Sequence, residues 1–211
     1  IGFDRSMIGA YGHDDRVCAY PALTAMLNMK DVPEHTVVTV LADKEEIGSM
    51  GNTGLNSAFL KYFVCDLAKT QGGDGFTALS NSECLSADVN AAFDPNYPDV
   101  IDRRNGAMIN HGAAFTKYTG SRGKSGTNDA SAEFVGKIRR IMDAADVKWQ
   151  MAELGKADAG GGGTVAMYVA NLGVDVIDIG VPVLSMHSPF EVVAKFDIYM
   201  VYRAIEAFFK S

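Results

Sequence analysis

Cysteine is scarce in this sequence. There are three, Cys18, Cys65 and Cys84, an odd number at spacings that form no C-x-x-C zinc or redox motif. A disulfide scaffold is excluded, and a reduced, cytoplasmic chain is the expectation. Basic residues are also in deficit: 19 Lys plus Arg stand against 26 Asp plus Glu, for a net charge of -7. Binding to a phosphate backbone needs a concentrated basic surface, so nucleic acid is not an expected partner. No apolar run approaches the roughly 20 residues of a membrane span, and no charged n-region leads into an apolar h-region at the start. A membrane is therefore not an expected partner either. There is no internal repeat and no linker. What is present is an ordinary globular composition, 47% hydrophobic and 21% charged over 211 residues, which suits one domain with a sizeable core. The chain opens on Ile1 rather than Met, inside what reads as the edge of a folded element, and a fragment is expected.

Periodicity along the chain alternates strands with helices, the pattern of an α/β layered domain. Residues 36–42 form an apolar, β-branched run bounded by Pro33-Glu34 and Asp43-Lys44 and read as a buried strand; residues 149–154 and 174–179 read the same way. Residues 129–145 put Ala130, Phe134, Ile138, Ile141 and Met142 on one helical face, with Asn128 or Asp129 as N-cap. Further helices are expected at 17–29, kinked by Pro21, at 55–67, and at 190–209. Residues 95–126 are rich in Asn, Asp, Gly and Arg and read as a long functional loop.

Five places set polar residues where a strand should be ending, the edge at which open α/β sheets bind ligands. In Gly12-His13-Asp14-Asp15-Arg16 either Asp could simply cap a helix. Glu45 and Glu46, in Ala42-Asp43-Lys44-Glu45-Glu46-Ile47-Gly48-Ser49, could be solvated; as neighbours they could also divide labour, one holding a metal while the other takes a proton from an activated water. The apolar Ile47-Gly48 should turn the pair inward. Asp88 interrupts the strand-like run 85–90 and could be a turn residue or a ligand. His187 ends an apolar run before Pro189 and could be structural or a ligand. Asp158-Ala159-Gly160-Gly161-Gly162-Gly163-Thr164 would let backbone approach a ligand closely, or serve as a flexible turn. A P-loop at 120–125 fails because Tyr118 occupies the position of its first glycine. Taken together, Asp14, Glu45, Glu46, Asp88 and His187 are residue types that bind zinc or a similar divalent ion. Four gathered carboxylates repel one another unless cations offset the charge. A two-metal hydrolase fits this set.

The ordered motifs GHDDRVC (12–18), DKEEIGS (43–49), SADVNAAFDPNY (86–97), GGGGT (160–164) and MHSPFE (186–191) closely resemble the M18 family of metalloaminopeptidases, the aspartyl aminopeptidase and vacuolar aminopeptidase I group, particularly its bacterial branch. The resemblance covers essentially the whole chain. It implies a phosphorylase/hydrolase-like fold, a central mixed sheet flanked by helices, and a site holding two divalent ions, zinc or else cobalt or manganese. By matching motifs Asp14 would bridge the ions, Glu46 and Asp88 would each bind one, and His187 would be a terminal ligand. Glu45 would be the general base, relaying a proton from the attacking water to the leaving amine. Asp15 would cap the helix. Gly161, Gly162 and Gly163 would lie along the substrate backbone.

This sequence also departs from the family, whose further His ligand, in an H-x-D motif, and dimerisation insert both precede the first residue here. Residues 1–211 are thus expected to be a single catalytic-domain fragment, and an inert metal- or peptide-binding fragment is the alternative to an active aminopeptidase. The family implies peptide substrates and, for the full-length protein, a homo-oligomer, commonly a dodecamer. Ala91 and Asp94 stand where the eukaryotic branch is expected to have histidines, so a preference for acidic substrates does not transfer directly. Lys117, with Arg122 and Lys124, could supply such a preference by facing an acidic substrate side chain, or could be a solvated surface cation.

Overall fold

The computed structural model describes residues 1–122, 125–156 and 158–211. In chain order the elements are β1 (Met7–Ala10), α1 (His13–Leu27), a 3-10 turn (Glu45–Ile47), α2 (Phe59–Thr70), α3 (Gly75–Ser80), β2 (Glu83–Ala87), β3 (Asn90–Ala91), β4 (Ala113–Thr116), β5 (Tyr118–Ser121) and β6 (Ser125–Asp129). There follow α4 (Ala132–Ala144), β7 (Trp149–Met151), α5 (Ala166–Ala170), β8 (Asp175–Gly180), β9 (Pro182–Leu184), β10 (Glu191–Ala194) and α6 (Lys195–Phe209). One mixed sheet runs β2-β8-β4-β7, a second runs β1-β10-β9-β3, and β5 pairs with β6.

The layers follow from the two-residue period of the strands. On β8, Ile177 and Ile179 join a core with Val17 and Cys18 of α1, Phe134, Ile138 and Met142 of α4, and Val201, Ala204 and Ile205 of α6. The alternate residue Val176 faces the other way, into a cluster with Leu79, Ala166 and Val169, against which Leu60 and Val64 of α2 pack. On β4, Ala113 and Phe115 join the large core while Ala114 packs with Ala107 and Ala152. Helices therefore cover both faces of the sheet, the α/β architecture expected from the alternation of strands and helices. Among the described residues no helix is long and apolar enough to cross a membrane.

Several local expectations are corrected. Residues 36–42 form no strand: Val38, Val40 and Leu41 are exposed, because no strand among the described residues lies alongside to complete a ladder. The expected loop at 95–126 contains β4, whose four residues are all buried; their small, weakly patterned side chains hid a central strand. The helix expected over 190–209 begins only at Lys195, since residues 191–194 pair with β1. Ser131 caps α4, its hydroxyl accepting the Phe134 N–H, in place of Asn128 or Asp129. Helix α1 departs from helical geometry at Asp14 and Asp15 rather than at Pro21, and among the described residues no cap hydrogen bond to either aspartate side chain is seen.

Candidate metal centre

Four separate segments deliver the polar cluster. Asp14 follows β1, where Gly12 turns the chain through a left-handed conformation (φ 73°) before α1. The Asp14 N–H donates to Glu191 Oε2 at 3.0 Å. His187 lies in the loop between β9 and β10, and its N–H donates to the other oxygen of the same carboxylate, Glu191 Oε1, at 2.8 Å. Asp88 leaves the end of β2, tied to the neighbouring strand by its N–H donating to the Ile179 carbonyl at 3.0 Å. Gly180 makes that approach possible, since a Cβ there would lie 2.1 Å from the Asp88 carbonyl oxygen. Glu45 and Glu46 sit in the 3-10 turn, not behind a strand. Asp43 organises that loop by accepting from the Lys44 N–H at 2.9 Å and the Thr53 hydroxyl at 3.1 Å, and Tyr168 of α5 donates its hydroxyl to the Gly48 carbonyl at 3.0 Å. Ile47 does not turn the pair inward: it is exposed, and the buried residue of this loop is Ser49.

The side chains converge. His187 Nε2 lies 3.0 Å from Asp14 Oδ2 and 3.2 Å from Glu46 Oε1. One ligand atom from each of Asp14, Glu46 and His187 falls within 4.8 Å of the other two, a spacing that a single metal ion can span. Asp14 is the inner member, with 10% of its side chain exposed, whereas His187 and Glu46 are open at 61% and 60%. Crowding of like charge is evident in the proton affinities. Burial and then the Glu46 charge push the Asp14 carboxyl up to about 6, partly offset by His187. Glu45 is raised by burial, then by Glu46 and Asp14. Asp88 is raised well above the ordinary carboxylate value by burial and by the charges of Asp14, Glu45 and Asp15. Asp14, Glu45, Glu46, Asp88 and His187 are thus electrostatic neighbours, and a set of acids that raise one another's pKa values is a set that a cation stabilises. The three residues whose ligand atoms meet, two carboxylates and one imidazole, suit a divalent ion of the zinc type, and Asp88 and Glu45 are not in that group.

The remaining candidates are placed differently. The glycine run lies between β7 and α5 and packs on the β5-β6 hairpin: the Gly162 carbonyl accepts from the Gly120 N–H at 2.9 Å, and a Cβ at Gly161 (φ 92°) would meet the Gly120 carbonyl oxygen at 2.4 Å. Gly163 sits against the Gly126 carbonyl. The Lys117 ammonium pairs with Asp129 and faces Glu153. Lys124 and Gly123 fall outside the described residues. Two residues escaped the sequence reading. Cys18 is fully buried in the core beneath the site, where burial and then the Asp88 charge push its thiol up. Glu191 was the more legible, a lone charge opening the apolar strand Glu191-Val192-Val193-Ala194.

Residues 1–209 match the family model described as aminopeptidase I zinc metalloprotease (M18). The chain belongs to the M18 family. It is 51% identical over its whole length to a probable M18 family aminopeptidase 1 of Clostridium acetobutylicum, covering 46% of that protein. A probable M18 family aminopeptidase 1 of Thermotoga maritima is 47% identical over 97% of the chain, which covers 47% of that relative. The crystal structure of the Clostridium acetobutylicum aminopeptidase I superposes with a TM-score of 0.93 at 51% identity, over 100% of this chain and 46% of that one. The chain spans about half the length of the M18 relatives it matches. The cluster of Asp14, Glu46 and His187 is built from residues of the motifs by which the chain resembles that family.

Proposed function

We propose that the protein is a metal-dependent aminopeptidase that hydrolyses the N-terminal residue from peptides, using two divalent ions, zinc in the first instance. The observation that carries the reading is the meeting of Asp14, Glu46 and His187 within 4.8 Å, with Glu45 beside Glu46 and Asp88 in electrostatic contact with Asp14. Asp14, Glu46, Asp88 and His187 would hold the ions. When bound, such ions acidify a water molecule and polarise the scissile carbonyl. Glu45, half-buried and free of any ligand role, accepts a proton on its carboxylate from the attacking water and returns it to the leaving amine. The surrounding carboxylates also suit a substrate with a free amino terminus, since they attract its ammonium group. Gly161, Gly162 and Gly163 would lie along the substrate backbone. Lys117 would select an acidic side chain. An inert binding site would have no use for Glu45 beside a ligand.

The test is hydrolysis of aminoacyl chromogenic substrates by the protein before and after chelation, with zinc, cobalt or manganese restored, alongside metal analysis. Activity that is lost on chelation and regained on reloading, at two ions per chain, is expected of the full-length protein. Turnover that survives complete removal of metal would refute the reading. Homo-oligomeric assembly of the full-length protein belongs to the same proposal, and light scattering of the complete protein showing only monomer would contradict it.

A further inference from the structure

Glu191 is 1% exposed, and glutamate is almost never buried so completely without a partner. Among the described residues no lysine or arginine pairs with it. Its two oxygens are instead divided between two backbone N–H groups, those of Asp14 at 3.0 Å and His187 at 2.8 Å. These are the residues whose side chains meet at 3.0 Å. The strand it opens would accept an apolar residue here without difficulty, for the alternate position Val193 is fully buried in the core. A charge kept in such a place, next to other carboxylates, costs folding free energy that two charge-assisted hydrogen bonds offset only in part.

We infer that Glu191 is the positioning residue of the metal centre, a single carboxylate that fixes the backbones of Asp14 and His187 at the separation their side chains need to share an ion. The inference rests on the metal reading proposed above. The reason the residue must be Glu is geometric. Two acceptor oxygens on one rigid plane can serve two N–H groups at once, whereas Gln keeps one acceptor and turns an NH2 donor toward the second N–H. With one backbone released, His187, which sits on an exposed loop, loses its fixed approach to Asp14. Partners that orient ligands are typically worth about 10 to 100-fold in metal affinity.

The experiment compares the protein with its Glu191→Gln and Ile177→Ala variants. Zinc affinity is measured by competition with a chromogenic chelator, and the visible absorption of bound cobalt is recorded. Ile177→Ala is the control for lost stability, as Ile177 lies in the core and donates nothing to the cluster. Glu191→Gln is expected to bind zinc at least about tenfold more weakly and to change the cobalt spectrum; Ile177→Ala should bind as the parent does. Parent-like affinity and spectrum in Glu191→Gln would overturn the inference, as would an equal loss in Ile177→Ala. Failure of the parent itself to bind either metal would refute the metal reading, a separate result. If Glu191→Gln does not fold, Glu191→Asp, one methylene too short to reach both N–H groups, carries the same expectation and the same refutation.

Discussion

Asp178 lies at the middle of β8 with 6% of its surface exposed, and neither of its carboxylate oxygens has a well-aligned hydrogen bond. Burial pushes its carboxyl up to about 6 from 3.8; Thr164, Ser86 and Asn128 approach closely enough to offset part of the rise. The folded protein therefore holds this proton more tightly than the unfolded chain does. The stabilisation is fully present below pH 3.8 and is lost as pH rises through about 6. At roughly 1.4 kcal/mol per pH unit, the rise from 3.8 to about 6 corresponds to about 3 kcal/mol, most of it falling between pH 4 and 7. Other raised carboxyls titrate in the same window, so the informative quantity is a difference. Urea unfolding of the metal-free protein and of Asp178→Asn, followed by circular dichroism at half-unit steps of pH, supplies it. The unfolding free energy of the parent minus that of the variant should fall by about 2 to 3 kcal/mol from pH 4 to pH 7. A flat difference would mean the carboxyl is solvated. A rising one would mean that Ser86, Asn128 and Thr164 hold it ionised, and either result refutes the reasoning.

Glu45→Gln should abolish turnover, by roughly 10² to 10⁴-fold, while metal content stays nearly intact, whereas Glu46→Gln should lose metal; the reverse pattern in metal analysis would exchange the two roles. Lys117→Ala should lower kcat/KM for an acidic N-terminal residue at least about tenfold more than for Leu or Ala, a difference of about 1.4 kcal/mol. An equal loss on both substrate classes would place Lys117 near the substrate backbone, and no loss would leave it as the surface partner of Asp129. Ile177→Ala should destabilise the fold by about 2 to 5 kcal/mol in urea unfolding, since the residue is fully buried between α1, α4 and α6; a cost below about 1 kcal/mol would show that the core collapses to fill the gap.

The layered architecture was legible because β8 and α4 carry strong, opposite periodicities: Ile177 and Ile179 alternate with Val176 and Asp178, while Phe134, Ile138 and Met142 repeat every fourth residue. Residues 36–42 misled for the same physical reason. Their β-branched side chains favour an extended chain, but a strand needs a neighbour for its hydrogen bonds, which composition does not report. Conversely β4, built from Ala-Ala-Phe-Thr, lacks the bulk that marks a strand and is held by burial on both faces. At the site, Asp14, Glu46 and His187 were legible as residue types after apolar runs, and the structure brings them together. The capping role read for Asp15 has no hydrogen bond behind it among the described residues, since no first-turn N–H of α1 donates to that side chain. Glu191 stayed hidden as a functional candidate because its importance lies in which two N–H groups it serves, and both are distant from it in the sequence or across a turn.

That distance has a consequence for how the protein matures. The hydrogen bond from Asp14 to Glu191 joins residues 177 apart, and β1 finds its ladder only when β10 has been made. During synthesis Asp14, Glu45, Glu46 and Asp88 all leave the ribosome before His187 and the strand that seats it. The chain must bring β1 to β10 before Asp14 and His187 can meet, a slow kind of contact to form. Uptake of an ion at the proposed site would therefore be a late event of folding, and it would report that β1 has met β10.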